Sequence, residues 1–410
     1  TMWYGLHHFS SALFIKTGDY YFAGDYQKQA FIKAPSLYIT KTDSCGKLYW
    51  EKNFFDDNKN YLWYNTAGVD QNANGDIFSV MYVDSSGSDM IKSRIDLHKI
   101  NMNGNVVWNS TYTSADWDNV PYCVGATKDG GAVAGGWQGH YVTYPNLALL
   151  IKFSKTGTVE WSHTYGNGEI TSVKQTADGG YTFIIYYVEK NSFTNAVITL
   201  HSYLCKTDKN GNLAWKVETP PPYKNKAFDQ YRPYVVFVSP RDTDTSYLVV
   251  RTQGNNFVND TIFVTKYNSK GKMMWNKYFN YFTEQEIASA ENTLDGGYLL
   301  TGRYNKDMDT TGVYMIKLKA NGDTAWTKRV TSNPVDIFNY PQVSIAGTNG
   351  YQINNSEEYV AGAYSSESIL RNGVVKLKYS LKSQKPPSFK CENIKLPEPI
   401  AKTINSGLTA

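Results

Sequence analysis

The chain has 410 residues, 41% of them hydrophobic, which supplies a substantial core and excludes wholesale disorder. Charged residues reach only 19%, aromatics 15% and tyrosine alone 33 positions, a balance that favours β-structure. No run approaches the roughly 18 apolar residues of a membrane helix. The net charge of +4 is unevenly placed: from Arg371 to Ala410 eight basic side chains face two acidic ones, leaving the rest at about −2. A nucleic-acid-binding body with a strong positive face is therefore not expected.

In chain order, Thr1-Met2-Trp3-Tyr4 comes well before the first turn at Gly18-Asp19. A repeating unit then begins: an alternating apolar stretch broken by a Gly turn, then an apolar run ending in Lys. Gly follows that Lys after five residues and Trp follows the Gly after four. The copies read Lys41-Gly46-Trp50, Lys99-Gly104-Trp108, Lys152-Gly157-Trp161, Lys206-Gly211-Trp215, Lys266-Gly271-Trp275 and Lys317-Gly322-Trp326. Their tryptophans recur every 51–60 residues and use six of the ten in the chain. The Gly turns are Gly18-Asp19, Asn74-Gly75, Asp129-Gly130-Gly131, Asp178-Gly179-Gly180, a divergent Asp242-Thr243-Asp244, Asp295-Gly296-Gly297 and Asn349-Gly350. Asn-Gly and Asp-Gly supply the positive φ that hairpins need. The seventh unit has its third strand at Gly373–Lys378 but no Gly and Trp after it.

Each unit reads as four strands, and such units repeated without helices predict a β-propeller. Seven turns predict seven blades. Trp3 stands where the missing fourth strand of the last blade needs its Trp, so residues 1–9 are expected to close the ring and remove its open edges. The expected fold is all-β: a seven-bladed propeller over 1–384 and an extended Pro- and Lys-containing tail over 385–410. The repeated tryptophans, with Trp3, are expected to wedge between blades rather than to bind a ligand.

Five aromatics are candidates for ligand binding. Trp63 and Trp117 are expected in loops entering the second and third blades, and Trp137, Tyr141 and Tyr144 in a loop of the third. Both loop classes emerge opposite the Gly turns, where aromatic platforms suit sugars or a protein surface. Asp70, Asn72 and Asn74 resemble half of a calcium loop, but the closing position 81 is Met81, and a hairpin turn is the preferred reading. His7 and His8 are adjacent on a strand and so point to opposite faces. Asp116, Asp118 and Glu169 are the acidic loop residues a hydrolase would draw on. Asn109, Asn259 and Asn354 open glycosylation sequons at a frequency that composition alone accounts for. No cofactor motif is present.

The Asp-Gly-Gly-Tyr, Ile-Lys-Leu and Asn-Gly-x-x-x-Trp pattern resembles the repeats of secreted and cell-surface propellers of bacteria and protists. Its Gly-x-x-x-Trp half resembles the tryptophan-docking motif of quinoprotein propellers, but the adjacent cysteines those use are missing here. The resemblance implies an extracellular or cell-surface protein. The reading is a non-enzymatic module that binds a glycan or a protein. The alternatives are a filament subunit assembling through residues 385–410 and a carbohydrate-active enzyme with its site at the central channel. Of the four cysteines, Cys45 and Cys391 are expected to form a disulfide, because the tail leaves the last blade on the rim that carries Cys45. Cys123 and Cys205 are expected as buried thiols.

Overall fold

The computed structural model describes residues 12–14, 19–26, 36–43, 47–54, 63–84, 93–140, 146–190, 197–219, 236–241, 245–255, 258–281, 285–307, 310–331, 345–353, 358–365 and 371–378. Among these residues every element is a β-strand, and the strands pair in chain order as antiparallel meanders. The first sheet holds β1 (Ala12–Phe14), β2 (Tyr20–Tyr26), β3 (Ser36–Thr42) and β4 (Leu48–Phe54). The second holds β5 (Trp63–Gln71), β6 (Ile77–Asp84), β7 (Arg94–Ile100) and β8 (Val106–Tyr112). The third holds β9 (Asp118–Ala126), β10 (Ala132–Gly139), β11 (Leu147–Phe153) and β12 (Val159–Asn167). The fourth holds β13 (Glu169–Gln175), β14 (Tyr181–Lys190), β15 (Val197–Thr207) and β16 (Leu213–Glu218). The fifth holds β17 (Val236–Arg241), β18 (Ser246–Asn255), β19 (Val258–Tyr267) and β20 (Met273–Phe279). The sixth holds β21 (Gln285–Asn292), β22 (Tyr298–Asp307), β23 (Thr310–Leu318) and β24 (Thr324–Thr331). The last described sheet has β25 (Ile345–Ile353), β26 (Glu358–Ser365) and β27 (Arg371–Lys378).

The first strand of each sheet packs on the sheet before it, and β1 packs against β25 and β26. The core is divided in the same way. Its clusters are each shared by two successive sheets, as where Phe78 and Leu97 meet Val124 and Leu149, or Val133 and Leu150 meet Ile170 and Phe183. Inner strands such as β10 and β11 are buried on both faces, whereas β8, β12 and β16 alternate between exposed and half-buried. The fold is a β-propeller.

The fixed spacing in the sequence is a hairpin register. Lys and Trp nine residues apart are cross-strand partners in six sheets, from Lys41–Trp50 through Lys317–Trp326. The Gly between them serves the preceding sheet. Gly157 has φ +87°, and a Cβ there would lie 2.9 Å from the Trp108 ring. Gly104, Gly211, Gly271 and Gly322 meet Trp50, Trp161, Trp215 and Trp275 in the same way. Indole N–H groups complete the dock: Trp50, Trp108 and Trp215 donate to the carbonyls of Met102, Lys155 and Ser269 at 2.9–3.1 Å. Trp326 meets Tyr359 of the last sheet, ring centroids 5.0 Å apart.

The repeated Lys ties the two turns of its own sheet together. Lys152, 2% exposed, pairs with Asp129 at 2.8 Å and donates to the Phe153 carbonyl at 2.7 Å. Lys206–Asp178 and Lys317–Asp295 repeat the pair at 2.8 Å, and Lys41–Asp19 and Lys99–Asp76 at 3.2 and 3.1 Å. Asp129 also accepts the Thr127 hydroxyl and the Gly131 amide. A Cβ on Gly131 would lie 2.9 Å from the Lys152 Nζ. It would lie closer still, at 2.2 Å, to the Phe153 carbonyl oxygen, so the second Gly of Asp-Gly-Gly lets that carbonyl and the ammonium approach the turn.

One expected turn is misplaced. Asn349 and Gly350 lie within β25, where the pairing slips between Gly347 and Gly350. Asn-Gly here supplies a bulge in the strand rather than a hairpin. The residues between β25 and β26, 354–357, lie outside the described residues. Also outside are residues 1–9 with Trp3, His7 and His8, then Cys45, Tyr141, Tyr144, Asn354, Cys391 and the tail 385–410.

Candidate functional site

In a meander the first-to-second and third-to-fourth turns share one face, here rich in Gly. The remaining connections form the opposite, loop face. Trp117 lies on the loop face just before β9, in a segment fixed from below. Asn119 is fully buried, and its Nδ2 donates to the Ser114 hydroxyl and the Trp117 carbonyl, both at 3.0 Å. Its Oδ1 accepts Gln138 Nε2 at 3.2 Å. Asp118 accepts the Ser93 amide at 2.9 Å and the Ser93 hydroxyl at 3.1 Å. Buried and satisfied, this network holds the Trp117 backbone in one conformation.

The indole above it is 39% exposed and meets the His140 ring at 4.7 Å between centroids, tilted by 49°. His140 follows the end of β10, so two strands deliver one aromatic shelf to the loop face. Trp137 does not join it. The sequence reading put Trp137 in a loop, but it lies within β10, is 5% exposed and donates from Nε1 to the Tyr122 hydroxyl at 3.1 Å. β10 extends past it to Gly139, and burial of its large ring holds it in the strand. Trp63 begins β5 opposite Asp84, on the same face.

The half-calcium pattern closes as a hairpin turn. Asn72 Oδ1 accepts the amides of Asn74 and Asp76, while Asp76 pairs with Lys99. Asp70 turns to its neighbours: one oxygen accepts the Ala126 amide at 2.9 Å and Lys174 Nζ at 3.3 Å, joining three successive sheets. Glu291, at the corresponding place on β21, faces both charges. Burial raises its carboxyl above the usual range, Lys174 acts against this and Asp70 with it.

Other chemistry escaped the sequence reading. His201 lies between the rings of Tyr187 and Tyr203, with Nδ1 on Glu218 at 2.7 Å and Nε2 on Glu189 at 3.3 Å. Burial lowers its basicity, but the two carboxylates outweigh that and hold the ring above its ordinary value. Both nitrogens are engaged, so the ring anchors three strands rather than offering a base. Cys123 and Cys205 are free, and burial pushes both thiols up to about 12. Such thiols are unreactive at neutral pH. Asn109 is exposed on β8 and bonds His98; Asn259 lies in β19.

No protein-family profile matches the chain, and no curated protein matches it. Among solved structures, the polysaccharide lyase Uly1 is 10% identical over 90% of each chain, with a TM-score of 0.48. A protein of unknown function from Dyadobacter fermentans is 9% identical over 89% of this chain and 92% of its own, also at 0.48. The α-L-arabinanase of Penicillium chrysogenum is 13% identical over 78% of this chain and 93% of its own, at 0.46. At these values neither substrate nor reaction carries over to this chain.

Proposed function

We propose that the chain is a non-enzymatic, extracellular or cell-surface propeller of seven blades that binds a glycan or a protein on its loop face. Seven successive sheets and the packing of β1 on β25 and β26 support the ring. In this reading residues 1–9 supply the fourth strand of the last blade. The observation that carries binding is the Trp117–His140 shelf: a large exposed indole over a buried polar network that fixes it before any partner arrives. Preorganised aromatic surface of this kind loses little entropy on contact. The carboxylate of Asp118 is spent on Ser93, which favours a scaffolding role for it over acid–base chemistry.

A glycan array together with a native mass measurement tests the proposal. Trp117→Ala is expected to abolish the strongest signal while costing under about 1 kcal/mol of stability, as for an exposed side chain. Trp137→Ala, by contrast, is expected to destabilise by about 3 kcal/mol through loss of a buried ring. Equal glycan and protein binding by wild type and Trp117→Ala would remove the shelf from the reading.

A further inference from the structure

The geometry points to a second binding site, at the boundary of the fourth and fifth sheets, in which Arg251 receives the carboxylate of a small organic acid. Arg251 lies in the middle of β18 and is 4% exposed. Its guanidinium lies 5.1 Å from the Phe263 ring centroid, and its Nη1 donates one long bond, 3.4 Å, to the Thr219 hydroxyl oxygen. Among the described residues Nη2 is buried with no hydrogen-bond partner. Burial pushes the group down to about 10, and the electrostatic contribution opposing this comes from Tyr267, a phenol. A buried cation without a counter-charge is strongly unfavourable, and proteins keep one where something supplies the opposite charge.

The surroundings select the ligand. Alternation along the strands turns Arg251 toward the fourth sheet, on the side of Tyr247 and Val249. It turns Ser202 and Thr219 toward the fifth, on the side of Leu204 and Val217. Ser202 Oγ is a second buried polar atom without a partner. Thr219 spends its proton on the Ser202 carbonyl at 3.0 Å, so it accepts from Arg251. A forked guanidinium edge and one spare hydroxyl donor match a planar monoanion. A phosphate dianion would leave negative charge uncompensated. The apolar ring of Phe263 against the guanidinium favours an organic acid over an inorganic ion. The chain leaves the fourth sheet at Thr219 and re-enters the fifth at Val236, the cross-strand partner of Arg251, so the site lies at the loop-face end of the boundary between these sheets. The acidic residue of the intervening connection, Asp229, is the competing source of a carboxylate.

Thermal unfolding and calorimetric titration of the full chain distinguish these sources, with sodium acetate and sodium glucuronate against sodium chloride at matched ionic strength. A saturable rise in unfolding midpoint with either carboxylate, beyond the chloride control, is expected. R251M keeps the side-chain volume and should weaken carboxylate binding at least tenfold; S202A/T219V should weaken it without touching the charge. D229N should respond as wild type does. The proposal is overturned if wild type shows no carboxylate-specific response, or if the response survives in R251M. Should R251M fail to fold, an undiminished response in S202A/T219V overturns it equally. A D229N variant that loses stability while wild type ignores added carboxylate assigns the counter-charge to the chain itself and also overturns it.

Discussion

Removing residues 1–9 is expected to lower the unfolding midpoint by about 5 °C and to cause aggregation. The third strand is covered by a fourth in six sheets, as β3 is by β4 and β23 by β24. Among the described residues β27 has no such cover. If residues 1–9 supply it, the deletion exposes the β27 edge, and unpaired edges template association. It also removes Trp3, whose six counterparts pack at the boundary with the next sheet. Loss of one such ring costs roughly 4 kcal/mol, which at about 1 °C per kcal/mol for a chain of 410 residues gives the stated shift. Trp3→Ala separates the two effects: it should reproduce most of the thermal loss and remain monodisperse. Light scattering and calorimetry check both, and a deletion variant that melts like wild type and stays monomeric excludes closure by the N-terminal strand.

What the sequence made legible follows from the range of the interactions. Lys–Gly–Trp was visible because its nine-residue spacing is a local hairpin register, fixed by one turn and repeated in every sheet that carries it. Its purpose was only half visible. That Gly157 receives the indole of the preceding sheet depends on a neighbour 49 positions earlier, which spacing within one unit cannot reveal. Asn349-Gly350 misled because the dipeptide that suits a hairpin turn here sits where the β25–β26 pairing slips, within a strand. Trp137 was expected beyond the end of a strand, but β10 runs on to Gly139 and is buried on both faces, so the ring is covered. The Asp70–Lys174 bridge spans 104 positions and leaves no local trace. Arg251 left one trace, a charge directly after the apolar run Tyr247-Leu248-Val249-Val250, but the sequence is silent on whether a buried charge has a partner.

The second large effect expected is at Lys152. Lys152→Met keeps the length and volume of a side chain that is 2% exposed, so little cavity forms. It removes the ammonium that pairs with Asp129 and Glu160 and that satisfies the Phe153 carbonyl. Breaking a buried pair by taking one partner costs about 3–5 kcal/mol. Here the two carboxylates stay about half exposed and regain water, so the loss should fall near 2–3 kcal/mol. The acid limb carries the diagnostic. Burial alone would raise the Asp129 carboxyl, but bonds from Lys152, Thr127 and the Gly131 amide, with the Lys152 charge, hold it below the usual range. Asp178 and Asp295 are lowered in the same way by Lys206 and Lys317. A carboxyl depressed on folding stabilises above its unfolded value, about 4. That contribution is lost as pH falls through the folded value. Wild type should therefore lose stability steeply below about pH 4, and Lys152→Met should lose it less steeply, because one of the depressed carboxyls has returned toward normal. Adding Asp129→Asn to Lys152→Met should cost less than Asp129→Asn alone, since the bond it breaks is already gone. Equal midpoints and superimposable acid limbs for wild type and Lys152→Met would mean that the buried pairs fix the geometry of the turns without contributing to their stability.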